Sequence, residues 1–354
     1  QKEMHPVTKS PSPAAPLLAW FDRNKRILPF RQNKTPYRVW VSEIMLQQTR
    51  VSAALPYYER FMAELPDVRA LADCEPDRLA KLWEGLGYYS RARNLQKAAR
   101  IIVDEYGGEL PADAAMLRKL PGIGDYTAGA IASLAFGLPE PAVDGNVLRV
   151  WSRLSNDASD VTLPETKRRM TAEVRAAQPQ DRPGDFNEAL MELGALVCIP
   201  NGAPLCGECP LQSRCEGYKA GTAPGLPVKP AKKPRRTEDW TLGVVLFEDG
   251  VLLEKRPDTG LLAGLWQPAM FPGTLSAEEI EKRLGAQGVV AHAERALKPA
   301  RHIFSHVEWH MTGYLLRAER FSPPYEPTTR AQLESERALP GAFKSVRAVL
   351  EKVL

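Results

Sequence analysis

Apolar positions recur at helical spacing through the first two-thirds of the chain and at strand spacing from Trp240 onward. Residues 17–60 read as two helical segments around the turn Arg26-Ile-Leu-Pro-Phe-Arg31. Residues 68–106 are helical again, interrupted at 83–94 by Trp-Glu-Gly-Leu-Gly-Tyr-Tyr-Ser-Arg-Ala-Arg-Asn. A helix ends at Leu120, a Pro-Gly-Ile-Gly hairpin follows, and a helix of small residues begins near Asp125. Residues 186–196 form one more amphipathic helix. Beyond Trp240 the pattern predicts strands at 240–247 and 251–255, joined by a turn at 248–250. A helix at 277–285, one strand at 302–316 and a closing helix at 343–354 complete the prediction. The expected fold class is multidomain: an all-α part, then a smaller α/β part without the glycine fingerprint of a dinucleotide fold.

Two acids stand out against this pattern. Thr35 suits a helix N-cap and Pro36 the first turn, so a helix starts there and carries Val39, Trp40, Ile44, Met45 and Leu46. Glu43 is the one acid among them. A lone helix acid usually faces water. Burial would instead raise its pKa and leave it protonated near neutrality, as a general acid requires. Asp144 precedes Gly145 and an apolar-periodic run, so it reads as an N-cap held ionised by backbone N–H groups. A cap alone would account for it. One neutral and one ionised carboxyl group together form the arrangement that splits a glycosidic bond through an oxocarbenium-like transition state.

Composition narrows the class without deciding it. A chain of 354 residues holds about two domains, and 44% apolar with 25% charged residues is ordinary for a globular protein. A formal charge of +4 is compatible with nucleic acid and weak support for it. No run is long and apolar enough for a membrane helix. Residues 1–15 are polar and Pro-rich and are expected to be a disordered leader, with no secretory signal. Five cysteines, four of them clustered, suit a reducing, intracellular setting better than a disulfide framework, and the expected location is cytoplasmic.

Further segments carry candidate chemistry. Gly85 and Gly87 make a tight turn from which Leu86 and Tyr88 are expected to project beside Arg91 and Arg93, as a wedge enters a base stack. Core positions for both residues are as compatible with the spacing. Gly122 and Gly124 leave backbone N–H groups bare at a helix N-terminus, a phosphate-binding surface. Cys198, Cys206, Cys209 and Cys215 form a metal signature, and zinc and an iron–sulfur cluster fit the spacing equally. Cys74 reads as a structural thiol. Residues 219–237 are basic and Pro-rich and are expected to be an interdomain linker.

Together, the Glu43 helix, Gly-Leu-Gly-Tyr-Tyr-Ser-Arg (85–91), Leu-Pro-Gly-Ile-Gly (120–124), Val-Asp-Gly-Asn-Val (143–147) and the four cysteines resemble adenine DNA glycosylases of the MutY type. These belong to the helix–hairpin–helix glycosylase superfamily. The resemblance runs from about residue 16 to the end. It implies a helical glycosylase domain over 16–218, with a six-helix module and a cluster-bearing module interleaved, the linker, and a Nudix-like 8-oxoguanine recognition domain over 238–354. It implies monofunctional excision of adenine mispaired with 8-oxoguanine, or with G, in duplex DNA. Glu43 matches the acid that protonates adenine and Asp144 the carboxylate facing the oxocarbenium ion, with Tyr126 and Asn146 beside them. Arg31 and Glu188 match positions near the adenine pocket. Gln48, Thr49, Leu86 and Tyr88 match positions at the orphan base and the opened stack. The cysteines would hold a 4Fe–4S cluster, with a structural and DNA-contacting role. Phe304, Ser305 and His306 match the loop that reads 8-oxoguanine.

Residues 273–288 lack the Glu-rich metal box of active Nudix enzymes, which implies recognition without pyrophosphatase chemistry. Two positions depart from the family pattern. The first cysteine gap holds seven residues where six is usual, and Phe30 stands where many relatives have Trp. The expected protein is a monomer bound to duplex DNA near the nucleoid. The weighed alternatives are an endonuclease III-like glycosylase/lyase and a non-catalytic lesion-sensing module. The first needs an amine nucleophile, where this chain has Tyr126.

Overall fold

Capping chemistry sets the helix starts that matter most. The computed structural model describes residues 12–200, 202–231 and 234–354. Most of the expected leader, residues 1–11, and linker positions 232 and 233 lie outside the described residues. The chain runs α1 (Ala14–Asn24), α2 (Pro29–Gln32), α3 (Pro36–Leu46), α4 (Val51–Glu64), α5 (Val68–Asp73) and α6 (Pro76–Leu82). Then come α7 (Ser90–Tyr106), α8 (Ala114–Leu117), α9 (Asp125–Phe136), α10 (Gly145–Leu154), α11 (Pro164–Ala177), α12 (Pro183–Leu196) and α13 (Glu216–Lys219). The two helical segments expected over 17–60 are thus four, because Pro29, Pro36 and the turn at 47–50 each restart the chain. Thr35 caps α3 by accepting from Arg38 N, and Asp144 caps α10 by accepting from Val147 N.

Contacts divide the described residues into two units. The first takes those of 1–51, 67–72 and 97–231. Its core gathers Leu17 and Phe21 of α1, Val147 and Val150 of α10, Met170 and Val174 of α11, and Phe186, Leu190 and Leu193 of α12. Helix α9 is rich in small buried residues, Ala128, Gly129, Ala130 and Ala132 among them, and lies between α3 and α12. A Cβ on Gly129 would stand 2.1 Å from Pro141 O, and one on Gly184 2.6 Å from Ser133 O. Side chains there would push these segments apart. Asn187 is fully buried and satisfied, accepting from Ala142 N and donating to Ser133 Oγ and Glu140 O. It fixes the strand-like segment that delivers Asp144.

The second unit takes those of 52–66, 73–96 and 232–354. Its sheet comprises β1 (Arg236–Phe247), β2 (Gly250–Lys255), β3 (Trp266–Gln267), β4 (Ala269–Pro272), β5 (Val290–Ala296), β6 (Ala300–Ile303), β7 (Val307–Arg320) and β8 (Glu326–Thr329). The central pair, β1 and β7, is parallel, with Trp240 opposite Met311, and β2 and β5 flank it. Helices α14 (Ala277–Ala286), α15 (Arg330–Ser335) and α16 (Lys344–Val353) complete the chain. Ile280 and Leu284 of α14 pack on one core of the sheet, and Val346 and Leu350 of α16 on the other. The strand expected at 302–316 is instead a hairpin: Ile303 pairs with Glu308, and Phe304, Ser305 and His306 form its turn. Periodicity carried across the turn hid the reversal. In the helical part of this unit, Glu84 accepts from Leu339 N and pairs with Arg347 and Lys81, while Arg93 donates to Ala263 O.

Candidate active site

Helix α3 delivers Glu43 to a cavity of about 610 Å³ in the first unit. That volume lies within the ~300–1,000 Å³ usual for small-ligand pockets. Glu43 is only 7% exposed. Tyr126, from the first turn of α9, donates its hydroxyl to Glu43 Oε2 at 2.5 Å. Burial is the largest effect on this carboxyl group and pushes its pKa up to about 7. The Tyr126 hydrogen bond opposes that, Asp144 and Glu188 reinforce it, and Arg31 opposes it. Burial and then the Glu43 charge hold the Tyr126 phenol well above its ordinary pKa, so it stays a donor.

Asp144 faces the same cavity. Its Oδ1 accepts from Val147 N at 2.8 Å and its Oδ2 from Asn146 Nδ2 at 2.8 Å. Buried Arg149 donates to Asn146 Oδ1, Gly194 O and Cys198 O, which locks Asn146 in the orientation that bonds Asp144. The two bonds hold the Asp144 carboxyl group in place at the head of α10. The two acids singled out in the sequence are therefore brought together, as are Tyr126 and Asn146.

A wall of alternating charges lines the cavity. Arg26 and Arg31 both meet Glu192, Arg26 Nε at 2.6 Å and Arg31 Nη2 at 2.8 Å. Glu188 takes Lys34 Nζ at 2.8 Å and lies 3.6 Å from Arg31 Nε. The two turn arginines thus meet protein carboxylates. Sequence reasoning missed Glu192 and Lys34: their partners lie up to 166 positions away, and no local pattern marks them.

The residues expected at DNA divide. Gln48 and Tyr88 are exposed with left-handed backbone, φ 57° and 47°. Such strain in non-glycine residues concentrates at functional positions. Thr49 is half-buried on the cavity rim. Leu86 does not project: it is 8% exposed, whereas Tyr88 is 48% exposed. Turning the apolar side chain inward removes its surface from water, and the turn presents the amphipathic ring instead. Gly122 and Gly124 lie exposed at the head of α9, and Gly122 has φ +79°. Ser305 and His306 are exposed on the β6–β7 turn, and Phe304 stacks edge-on against Trp309.

Cys198, Cys206, Cys209 and Cys215 line one small cavity in the first unit. Burial raises the Cys209 thiol to about 11 and lifts Cys206 and Cys215 in the same direction. Buried Arg153 donates to Cys198 Sγ at 3.3 Å. Among the described residues, no three candidate ligands converge as they would around a single metal ion.

Comparison with known proteins decides the family. Residues 41–177 match the model of the HhH-GPD superfamily base excision DNA repair protein, and residues 241–348 match the NUDIX domain. An adenine DNA glycosylase of Mus musculus is 37% identical over 86% of this chain and 70% of its own length. One of Buchnera aphidicola is 32% identical over 86% of this chain and 87% of its own length. The chain belongs to the adenine DNA glycosylase family. A solved thermostable thymine-DNA glycosylase, 26% identical, superposes with a TM-score of 0.54 over 58% of this chain. Glu43, Tyr126 and Asp144 all fall within the matched helical segment, and the Phe304–His306 turn within the matched NUDIX segment. Among the described residues of this glycosylase-family chain, no helix is long and apolar enough to cross a membrane.

Proposed function

We propose that this chain hydrolyses the N-glycosidic bond of adenine mispaired with 8-oxoguanine, or with G, in duplex DNA, without lyase chemistry. The reading is carried by Glu43, buried and protonated near neutrality, sharing one cavity with hydrogen-bonded Asp144. Adenine flipped from the helix enters the cavity, at a cost of a few kcal/mol for unstacking. Glu43 delivers its proton to adenine N7, which turns the base into a better leaving group. Tyr126 steadies the carboxyl group through the transfer, and Arg31 and Glu188 border the base. Asp144 faces the cationic sugar left behind, and Glu43, now ionised, activates the attacking water.

The remaining parts hold the DNA. Gly122 and Gly124 offer backbone donors to phosphate at the head of α9. Gln48, Thr49 and Tyr88 meet the opened stack, with Tyr88 as the exposed ring. Phe304, Ser305 and His306 read 8-oxoguanine from a domain over 238–354 that recognises without pyrophosphatase chemistry. The helical domain spans 16–218. The four thiols fit a 4Fe–4S cluster: they line one cavity together, and the set is all sulfur. Cys198, Cys206, Cys209 and Cys215 would hold it, and it would supply structure and a DNA-contacting loop. We take the protein to act on DNA in the cytoplasm at the nucleoid, as a monomer.

The test is adenine release from duplexes carrying A opposite 8-oxoguanine, G, C or T. Fast release opposite 8-oxoguanine, slower opposite G and negligible opposite C and T is expected. Release of oxidised pyrimidines instead, or a borohydride-trapped adduct in stoichiometric yield, would overturn the reading.

A further inference from the structure

The charged wall contains a carboxylate that the proposed chemistry does not use. Glu192 is completely buried, yet it is ionised: burial disfavours its charge, and bonds from Arg26 and Arg31 outweigh that and hold its pKa at about 2. Arg26 alone gives it three donors, from Nε, Nη2 and the backbone N. Arg31 adds Nη2 at 2.8 Å. The other guanidinium arm, Arg31 Nη1, is buried with no hydrogen-bond partner among the described residues. Burying an ion this thoroughly costs several kcal/mol unless its partners are held in good geometry.

Arg31 is the cation with most influence on the acid. Glu43 shares the cavity lining with Asp125 and Tyr126 from α9, with Asp144 and Asn146 from the head of α10, with Glu188 and Glu192 from α12, and with Arg31, Lys34 and Arg26 from the α2 region. Among the described residues Arg31 pairs with Glu188 and Glu192 and makes no ion pair with Glu43. Lys34 is spent on Glu188 and Arg26 on Glu192. The placement of Arg31 therefore depends on Glu192, which is its shorter contact.

We propose that Glu192 is the positioning residue of the general acid: it holds Arg31 off Glu43, so that Glu43 keeps its proton until substrate arrives. The inference rests on the acid role of Glu43 and deepens it. Without the Glu192 charge, Arg31 Nη2 loses its acceptor, and Glu43 is a nearby carboxyl group in the same cavity. An Arg31–Glu43 pair would ionise the acid before substrate arrives.

The experiment is the pH dependence of single-turnover adenine release by Glu192→Gln, which keeps the shape of the side chain and removes its charge. The basic limb, near pH 7 in wild type, moves at least about 1 unit toward acid. Glu192→Asp holds it near the wild-type position. The double variant Glu192→Gln/Arg31→Met returns the limb upward even where the rate stays low, because the released cation is gone. Circular dichroism at each pH separates unfolding from titration. A Glu192→Gln profile lowered equally at every pH, with its limb in place, overturns the proposal and leaves the acid role of Glu43 standing. Loss of a basic limb in wild type would instead remove the acid role itself.

Discussion

The Tyr126 hydroxyl lies 2.5 Å from Glu43 Oε2, joining α9 to α3 inside the cavity. The bond stabilises the ionised acid, while burial stabilises the protonated one, and burial is the larger effect. Tyr126 thus trims a pKa that burial alone would set higher. Tyr126→Phe removes the opposing bond and leaves the ring. The basic limb of the rate profile should move up, by about 1 unit, measured in single-turnover assays from pH 5 to 10. An unmoved limb would show that the bond does not act on the proton.

The same burial carries a cost in stability. Glu43 titrates near 7 when folded and near the ordinary 4.5 when unfolded. Its raised folded pKa means that its contribution is fully present below 4.5 and is lost as pH rises through 7. Glu43→Gln keeps an acceptor for Tyr126 and cannot ionise. Its stability should equal that of wild type near pH 4 and exceed it by up to about 3 kcal/mol at pH 8. Denaturant unfolding at the two pH values measures this. An equal or lower stability at pH 8 would mean that Glu43 ionises freely.

Asp144 combines a cap with a facing charge, and two substitutions separate them. Asn is as good an N-cap as Asp, so Asp144→Asn should change unfolding free energy by less than about 1 kcal/mol. Excision should nevertheless fall by at least ~100-fold, since the charge that stabilises the cation is gone. Asp144→Ala loses both functions and should cost about 1 kcal/mol more in stability. Parallel unfolding and excision measurements check the pair.

Much of this site was legible in the chain because its anchors are local. Thr35 with Pro36, and Asp144 with Gly145, announce helix starts within a few residues, and those starts aim Glu43 and Asp144. The glycines at 122 and 124 mark the entry to α9 and so place Tyr126. What was illegible depends on distant pairing. Glu192 looks like any acid of an amphipathic helix until Arg26 and Arg31 reach it from the other end of the chain. Leu86 looked like a wedge because a glycine turn exposes backbone, whereas the turn buries this side chain and exposes Tyr88. The β6–β7 turn was invisible because Ile303 shares the apolar phase of Val307, Trp309 and Met311, so one strand pattern spans both sides of it. The second unit joins 73–96 to the sheet through contacts such as Arg93 to Ala263 O, which no local pattern signals.

Single-turnover excision by Glu43→Gln, on a duplex with A opposite 8-oxoguanine, shows whether Glu43 supplies the proton. The variant should bind the mispair with near wild-type affinity and release no measurable adenine at any pH from 5 to 9. Release at a rate close to wild type would contradict the account, because a side chain that cannot donate the proton would then suffice.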